Sequence, residues 1–254
     1  MKKEIRTNKM IVALMIGRAG SHGFPDKNLI KILGKHLCEY PIIAAKKTKM
    51  IDQIFVSTDC SNIKKITNKY NVTFLKRPKY LATSKALGED VFRDAYYKIK
   101  SQVERKNKKI EMIVLLMANA GTVNSKLINK GISILRKNKK FDSAVTTSVY
   151  NMWSPIRARK LTQNGTLEPF IPFNKYPKNI DINCDRDSQG NVYYADMSVS
   201  VVRPKCLEKM EEGLLPQKWM GKKIAPIFSY AGFDLDFDWQ VPILEHWIKK
   251  NANK

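Results

Sequence analysis

Apolar runs and helical patterns alternate along the first 150 residues of this chain. Strands are predicted over 10–16, 53–57, 72–75, 111–117 and 143–148. Helices are predicted between them, over 40–49, 61–70, 88–100 and 124–137, with Ser61 and Asn124 as N-caps. Strands that are apolar throughout and are separated by helices are typical of a parallel sheet covered on both faces. The pattern therefore predicts an α/β fold.

The pattern changes between about Tyr150 and Ala195. Arg, Pro, Asn, Asp and aromatic residues mix there without a helical period, which indicates a β-rich insertion or arm over 150–195. The chain then returns to the sheet with strands over 192–202 and 224–229, and a final helix is predicted over 239–250.

The loop after the first strand is the first candidate for chemistry. It reads Gly17-Arg18-Ala19-Gly20-Ser21-His22-Gly23-Phe24-Pro25-Asp26-Lys27-Asn28. Glycines allow backbone N–H groups to turn toward an anion, and Arg18 and Lys27 supply the charge that a polyphosphate needs. A glycine-rich turn is the simpler alternative, but the basic residues favour a nucleotide triphosphate loop. Ligands of such sheets bind beyond the carboxyl ends of the strands, where this loop would meet 57–60 and 117–123.

A pair of carboxylates follows the last predicted strand. Asp234 and Asp236 alternate along an extended backbone, so both side chains face the same side. Mg²⁺ is usually bound by one or two carboxylates together with substrate phosphates, and we predict a metal site here. The alternative is that these acids complement the dipole of the terminal helix, as we expect Asp238 to do.

Two further charged residues end predicted strands. Asp59 is either an N-cap of the helix at 61–70, which is the favoured interpretation, or lies near the nucleotide. Arg77, held by the following Pro78, suits either a phosphate contact or a structural ion pair.

Composition narrows the functional classes. The chain has 254 residues, of which 43% are hydrophobic, so it can bury one large core. It contains no apolar run long enough to span a bilayer, and Met1–Glu4 leads straight into the first strand. We therefore expect no signal peptide, no membrane partner and a cytoplasmic location.

Charge and cysteine content add less. The net charge of +23 invites a nucleic-acid hypothesis, but the lysines are scattered in short pairs and no nucleic-acid-binding motif accompanies them. The four cysteines lack a CxxC pair, which predicts reduced, structural thiols and no zinc site. Neither a catalytic triad nor covalent catalysis is indicated.

Together these motifs resemble the acylneuraminate cytidylyltransferase family. The similarity lies in 17–28, 33–37, 55–59, 77–78, 81–83 and the Asp-x-Asp of 234–236, in the family's order. It implies a Rossmann-like nucleotidyltransferase with a mostly parallel sheet between helices. It also implies one domain over 1–254, in which 150–195 is a dimerisation and sugar-site arm.

The resemblance also implies a reaction and its residues. A hydroxyl of an acidic sugar attacks the α-phosphate of CTP, pyrophosphate leaves, Mg²⁺ neutralises charge, and the protein works as a homodimer. Nucleotide-binding residues would be Gly17, Arg18, Ser21, Gly23, Lys27, Asn28, Arg77 and Asn119. The catalytic residues would be Arg18, Lys27, Asp234 and Asp236, the last two binding the metal. The acidic sugar would be held by Arg157, Arg159, Arg186 and Gln189, although the arginines also suit surface ion pairs.

The chain departs from the family pattern at several positions. His22 replaces a lysine. Met117 replaces a glutamine, whose role Asn119 would take. Glu89 and Asp90 follow positions where the family has serines, and a carboxylate there suits cytosine or guanine equally. The alternatives are a nucleotidyltransferase that uses another nucleoside triphosphate or a sugar phosphate, a catalytically inactive nucleotide-binding relative, and a basic RNA-binding protein.

Overall fold

The computed structural model describes residues 8–20, 23–179 and 181–251, so Ser21 and His22 lie outside the described residues. The strands are β1 (Lys9–Ile16), β2 (Lys31–Ile32), β3 (Lys35–His36), β4 (Gln53–Thr58), β5 (Thr73–Lys76), β6 (Lys109–Met117), β7 (Ser143–Val149), β8 (Arg159–Leu161), β9 (Leu167–Pro169), β10 (Tyr193–Val202) and β11 (Ile224–Phe228). The helices are α1 (Glu39–Lys46), α2 (Ser61–Lys69), α3 (Gly88–Glu104), α4 (Ser125–Lys137), α5 (Lys205–Glu208) and α6 (Val241–Asn251).

The main sheet has the strand order β11-β7-β10-β6-β1-β4-β5. β10 runs antiparallel to both of its neighbours, and the remaining pairs are parallel. The mostly parallel α/β sheet predicted from the apolar runs is confirmed. Because β1 lies near the centre of this sheet, its carboxyl end opens between the ends of β4 and β6.

Side chains of β1 alternate between two hydrophobic layers. Ile11, Ala13 and Met15 pack in the layer that contains residues of α1, α2 and α4. Val12 and Leu14 pack in the opposite layer, with residues of α3 and α5. Burial on both faces explains why this strand is apolar throughout.

The helix starts differ from two of the predictions. Asn124 is the N-cap of α4, and its side chain accepts a hydrogen bond from the Leu127 N–H, as predicted. Ser61 is instead the first residue of α2, whose N-cap position is Cys60. The terminal helix α6 begins two residues later than predicted because a 3₁₀ turn over Asp238–Gln240 precedes it.

A short hairpin formed by β2 and β3 was not predicted. Its two-residue strands are too short to show a period of two. Leu33 and Gly34 join them, both with positive φ angles (46° and 82°), as a tight type I′ hairpin turn requires.

The segment 150–195 contains the antiparallel hairpin of β8 and β9, short 3₁₀ turns and the start of β10. Most of its side chains are exposed, including Leu161, Leu167 and Phe170. Its role in dimerisation and sugar binding stays a prediction.

Across the described ranges, every helix is too short or too polar to cross a lipid bilayer. The cytoplasmic location stays a prediction.

Candidate functional site

A cleft of about 450 Å³ opens at the carboxyl ends of β1 and β6 and beside the start of α3. The residues that line it include these candidates from the sequence: Gly17, Arg18, Gly23, Lys27, Asn28, Arg77, Asn119 and Asp236. Ligands of doubly wound sheets bind at this edge. The structure thus gathers residues from both ends of the chain around one cavity.

The loop from Gly17 to Asn28 is held to the neighbouring strand ends. The Gly17 N–H donates to the Ser57 carbonyl oxygen (3.2 Å), and a Cβ on Gly17 would lie 2.6 Å from the Ala118 Cβ. Asn28 Nδ2 donates to the Arg18 carbonyl oxygen (3.1 Å). Gly17 therefore lets the loop approach the end of β6 closely, and Asn28 fixes the backbone at Arg18.

Asp59 supports this loop and does not cap a helix. Its Oδ1 accepts a hydrogen bond from the Ala19 N–H at 3.1 Å. The N-cap interpretation of Asp59 is wrong, because the helix begins one residue too late for this carboxylate to cap it. The alternative position near the candidate nucleotide loop is the observed one.

Lys27 and Asp236 form an ion pair on one wall of the cleft, although their positions in the sequence are 209 residues apart. The Lys27 side chain is 18% exposed and the Asp236 side chain 47% exposed. The pair is thus open enough to exchange partners with an incoming ligand.

Asn119 joins the two candidate metal-binding carboxylates. Its Nδ2 lies 3.3 Å from both Asp234 Oδ2 and Asp236 Oδ1, which shows that the two carboxylates face the same side, as the alternation predicts. Leu235 points the other way, into an apolar cluster with Leu37 and Leu244. Burial, followed by the negative charge of Asp236, raises the pKa of the Asp234 carboxyl above its usual value.

This donor set fits a divalent cation. Two carboxylates within reach of one amide are the hard oxygen ligands that Mg²⁺ prefers. Burial is the larger cause of the raised pKa of Asp234, and the second cause is repulsion from Asp236, which a bound cation would relieve. Lys27 supplies positive charge to Asp236 in the structure as it stands.

Arg77 lies at the base of the cleft and is only 5% exposed. Its Nη2 donates to the Ser57 carbonyl oxygen at 3.1 Å, whereas its buried Nε has no hydrogen-bond partner within the described ranges. Burial lowers the pKa of the guanidinium, and the nearby charge of Asp59 opposes that effect. Arg77 thus lines the cleft while one nitrogen bonds the end of β4 and the buried Nε–H is left unpaired within the described ranges.

The four candidates for the acidic sugar lie in the arm, away from this cleft. Arg157 Nη2 donates to the Cys184 carbonyl oxygen (2.8 Å), and Arg186 pairs with Asp187. Arg159 donates to backbone carbonyls and lies over the Phe173 ring, while Gln189 accepts from Ser154. These contacts are all internal to the arm.

Several cleft residues were not predicted as site residues because they are apolar. Leu81, Val91 and Phe237 line the cavity, as does Met117, which the sequence marked only as a departure from the family pattern. Phe237 is exposed, and its position directly after the Asp-x-Asp motif was the available signal.

Glu89 and Asp90, which the sequence suggested as contacts of the nucleotide base, are directed to other parts of the structure. Glu89 pairs with Lys218 (3.6 Å), and Asp90 lines a neighbouring cavity.

Known proteins show similarity to this chain in both sequence and fold. A sequence model described as cytidylyltransferase matches residues 12–164. The chain is 28% identical to the N-acylneuraminate cytidylyltransferase of Escherichia coli over 170 residues, which are 66% of this chain and 38% of that protein. It is also 28% identical to a bifunctional pseudaminic acid cytidylyltransferase and hydrolase of Helicobacter pylori, over 63% of this chain and 29% of that protein.

The chain therefore spans well under half the length of these relatives. Among solved structures, the fold matches a CMP:2-keto-3-deoxy-manno-octonic acid synthetase complexed with CTP, with a TM-score of 0.67 and 12% sequence identity. That match covers 95% of this chain and 99% of the other. Since the family match extends over more than half of the sequence, the chain belongs to the cytidylyltransferase family.

Proposed function

We propose that this protein transfers CMP from CTP to a hydroxyl group of an acidic sugar and releases pyrophosphate. The observation that carries the proposal is the meeting of Lys27, Asn119 and Asp236 at the wall of one cleft, with Asp234 beside them on Asn119 Nδ2. A basic side chain serves a triphosphate, and paired carboxylates serve a divalent cation. Family membership and the fold support the same chemistry.

In this reaction the chain positions the triphosphate and stabilises its charge. The sugar hydroxyl oxygen forms a bond to the α-phosphorus and its proton passes to solvent, while the bond from that phosphorus to the pyrophosphate oxygen breaks. The step requires no protein nucleophile. Arg18 and Lys27 contact the phosphates, with backbone N–H groups of the loop near Gly23. Lys27 leaves Asp236 as the phosphates arrive. Arg77 supplies positive charge where it lines the cleft.

We assign Asp234 and Asp236 as ligands of Mg²⁺, which supplies positive charge to the phosphate oxygens when bound. Asn119 holds both carboxylates on the cleft side through its Nδ2. Leu235 anchors the backbone between them in the apolar cluster beneath. The chain thereby presents two negative charges together, which repel each other until a cation arrives.

The acceptor in this proposal is a sugar with a carboxylate. The two relatives and the solved structure compared above are named for acids of this kind. Arg157, Arg159, Arg186 and Gln189 remain our candidates for the sugar carboxylate. Since they lie outside the cleft of their own chain, the proposal places them at the cleft of a partner in a homodimer. The exposed apolar side chains of the arm support such an interface.

The test measures pyrophosphate release with each nucleoside triphosphate, Mg²⁺ and a panel of acidic sugars. We expect turnover with CTP together with an acidic sugar. Turnover with GTP or UTP and not with CTP would overturn the cytidylyl assignment. Reaction of a sugar phosphate in place of the acid would overturn the acceptor class. Tight CTP binding without turnover of any acceptor would indicate an inactive relative.

A further inference from the structure

The segment 232–237 carries both candidate metal ligands but belongs to neither a strand nor a helix. Its backbone is held largely by groups from other parts of the chain. The N–H groups of Gly232, Phe233 and Leu235 donate to Ser148 Oγ, Thr122 Oγ1 and the Asn119 carbonyl oxygen, each at 2.9 Å. The Asp236 and Phe237 N–H groups donate to Gln240 Oε1, so the segment is positioned by side chains and one carbonyl group rather than by a strand ladder.

Thr122 holds the backbone at Phe233 from both sides. Its fully buried hydroxyl accepts from the Phe233 N–H and donates to the Phe233 carbonyl oxygen, both at 2.9 Å. Ser198 Oγ lies 2.7 Å from the same hydroxyl. Since the single Thr122 proton serves the Phe233 carbonyl, Ser198 is the donor in this second bond.

Ser148 and Asp196 hold the backbone at Gly232. Asp196 is 4% exposed, and its Oδ2 accepts from the Ser148 hydroxyl at 2.8 Å. This bond uses the Ser148 proton, so the Ser148 oxygen presents a lone pair to the Gly232 N–H. A Cβ on residue 232 would lie 2.2 Å from Asp196 Oδ2, so only glycine allows the carboxylate to pack this closely.

The strand that carries Asp196 and Ser198 is irregular at this point. The pairing of β10 shifts register between Ala195 and Ser200, and Met197 has a positive φ of 60°. Bulges of this kind redirect side chains and are frequent beside active sites. Here the bulge contains Asp196 and Ser198. Their side chains bond Ser148 and Thr122, the residues that hold the backbone at 232–233.

We propose that Thr122, Ser148 and Asp196 are positioning residues for Asp234 and Asp236. They act through the backbone of Gly232 and Phe233 and hold the two carboxylates toward the cleft. The proposal rests on the proposed function, since it takes these carboxylates to be the ligands of the cation. Residues that orient metal ligands typically change metal affinity by about 10–100-fold when they are substituted.

The test measures CTP affinity by isothermal titration calorimetry, once with EDTA and once with saturating Mg²⁺ and no sugar. The Kd in EDTA divided by the Kd in Mg²⁺ is the Kd ratio, which reports the contribution of the carboxylates. The Kd in EDTA alone reports the contribution of the loop. We expect Thr122→Val to reduce that ratio by about tenfold and to leave the Kd in EDTA unchanged. Thr122→Ser retains the hydroxyl and is expected to restore the ratio.

Thr48→Val is the matched control. Thr48 is also buried, and its hydroxyl donates to the Ala44 carbonyl oxygen (2.9 Å) at the end of α1, outside the bulge of β10. We expect it to lower Tm and to keep the wild-type Kd ratio. Ser148→Ala provides a second variant if Thr122→Val does not fold.

The outcomes separate this proposal from the proposed function. The positioning role alone would be overturned if the wild-type Kd ratio is above one and folded Thr122→Val and Ser148→Ala both keep that ratio. An equal loss in Thr48→Val would also overturn it, since the effect would then be general destabilisation. Wild-type protein that binds CTP equally with and without Mg²⁺ would overturn the metal assignment itself and this proposal with it.

Discussion

Lys27 and Asp236 show how the charges of the cleft compensate one another before a ligand binds. Each side chain is partly exposed, so their ion pair contributes little to the free energy of unfolding. A triphosphate offers Lys27 several oxygens, and a divalent cation offers Asp236 a stronger partner. The pair is therefore suited to exchange partners when nucleotide and metal enter together.

Substitution of Asp236 tests this role at the level of one carboxylate. Asp236→Asn keeps the size of the side chain and removes its charge, so we expect kcat to fall by about 10²–10³-fold. The measurement is pyrophosphate release at saturating CTP and acceptor. Asp238→Asn is the control, because Asp238 directly follows this segment, is exposed, and its carboxylate accepts only from the Trp239 N–H among the described contacts. Full activity of Asp236→Asn would contradict the metal assignment.

Gly17 is a second residue whose identity follows from its contacts. Since a Cβ would lie 2.6 Å from the Ala118 Cβ, Gly17→Ala forces two strand ends apart. We expect it to lower the free energy of unfolding by about 1–3 kcal/mol and to weaken CTP binding. Urea unfolding and calorimetry measure the two effects.

Gly88→Ala is the matched control for this substitution. Gly88 also lines the cleft, but a Cβ there would meet only Ile16 Cδ1, at an ordinary 3.8 Å. Because Gly88 is the first residue of α3, we expect Gly88→Ala to raise the free energy of unfolding. Equal destabilisation by both substitutions would contradict the steric explanation.

At the level of elements, Glu39 links the start of α1 to the end of α2. It is 3% exposed, and its Oε2 accepts from the Tyr70 hydroxyl (2.5 Å) and from Lys69 Nζ (3.1 Å). Burial alone would raise the pKa of this carboxyl. The bonds from Tyr70 and Lys69 outweigh burial and hold the pKa below its usual value of 4.5.

This shift predicts a specific pH dependence of stability. A carboxyl with a lowered folded-state pKa stabilises the fold above its unfolded pKa, and the contribution disappears as the pH falls through the folded value. We expect Glu39→Gln to destabilise the protein at pH 7 and to do so less and less as the pH falls below about 4.5. Urea unfolding of both proteins across this range measures the difference. A difference that does not depend on pH would show that packing, not charge, is responsible.

The elements that the sequence predicted correctly are those whose pattern arises from local burial. β1 is apolar throughout because both of its faces are covered, and Asn124 caps α4 through a contact three residues away. Asp59 was misassigned because its partner, Ala19, is 40 positions distant. For the same reason the pattern revealed the Asp-x-Asp pair but not its pairing with Lys27, nor its support by Thr122. Such contacts depend on sheet order, which no local period encodes.

At the scale of the whole molecule, the cleft and the arm carry complementary parts of the proposed site. The cleft holds the candidates for nucleotide and metal, and the arm holds those for the sugar carboxylate. One chain does not bring the two sets together in the described residues. A symmetric dimer would supply the arm of each copy to the cleft of the other.

Mixing two inactive variants tests this arrangement. Asp236→Asn removes a function of the cleft, and Arg186→Ala removes a candidate of the arm. If each site combines one cleft with the partner's arm, a mixed dimer contains one site with both defects and one site with neither. Mixing equal amounts and allowing the subunits to exchange should restore activity to about a quarter of the wild-type value, since half of the dimers are mixed. Light scattering establishes the dimer, and pyrophosphate release measures the recovery. No recovery in confirmed mixed dimers would mean that each chain completes its own site, because every mixed dimer would then contain one defect in each of its two sites.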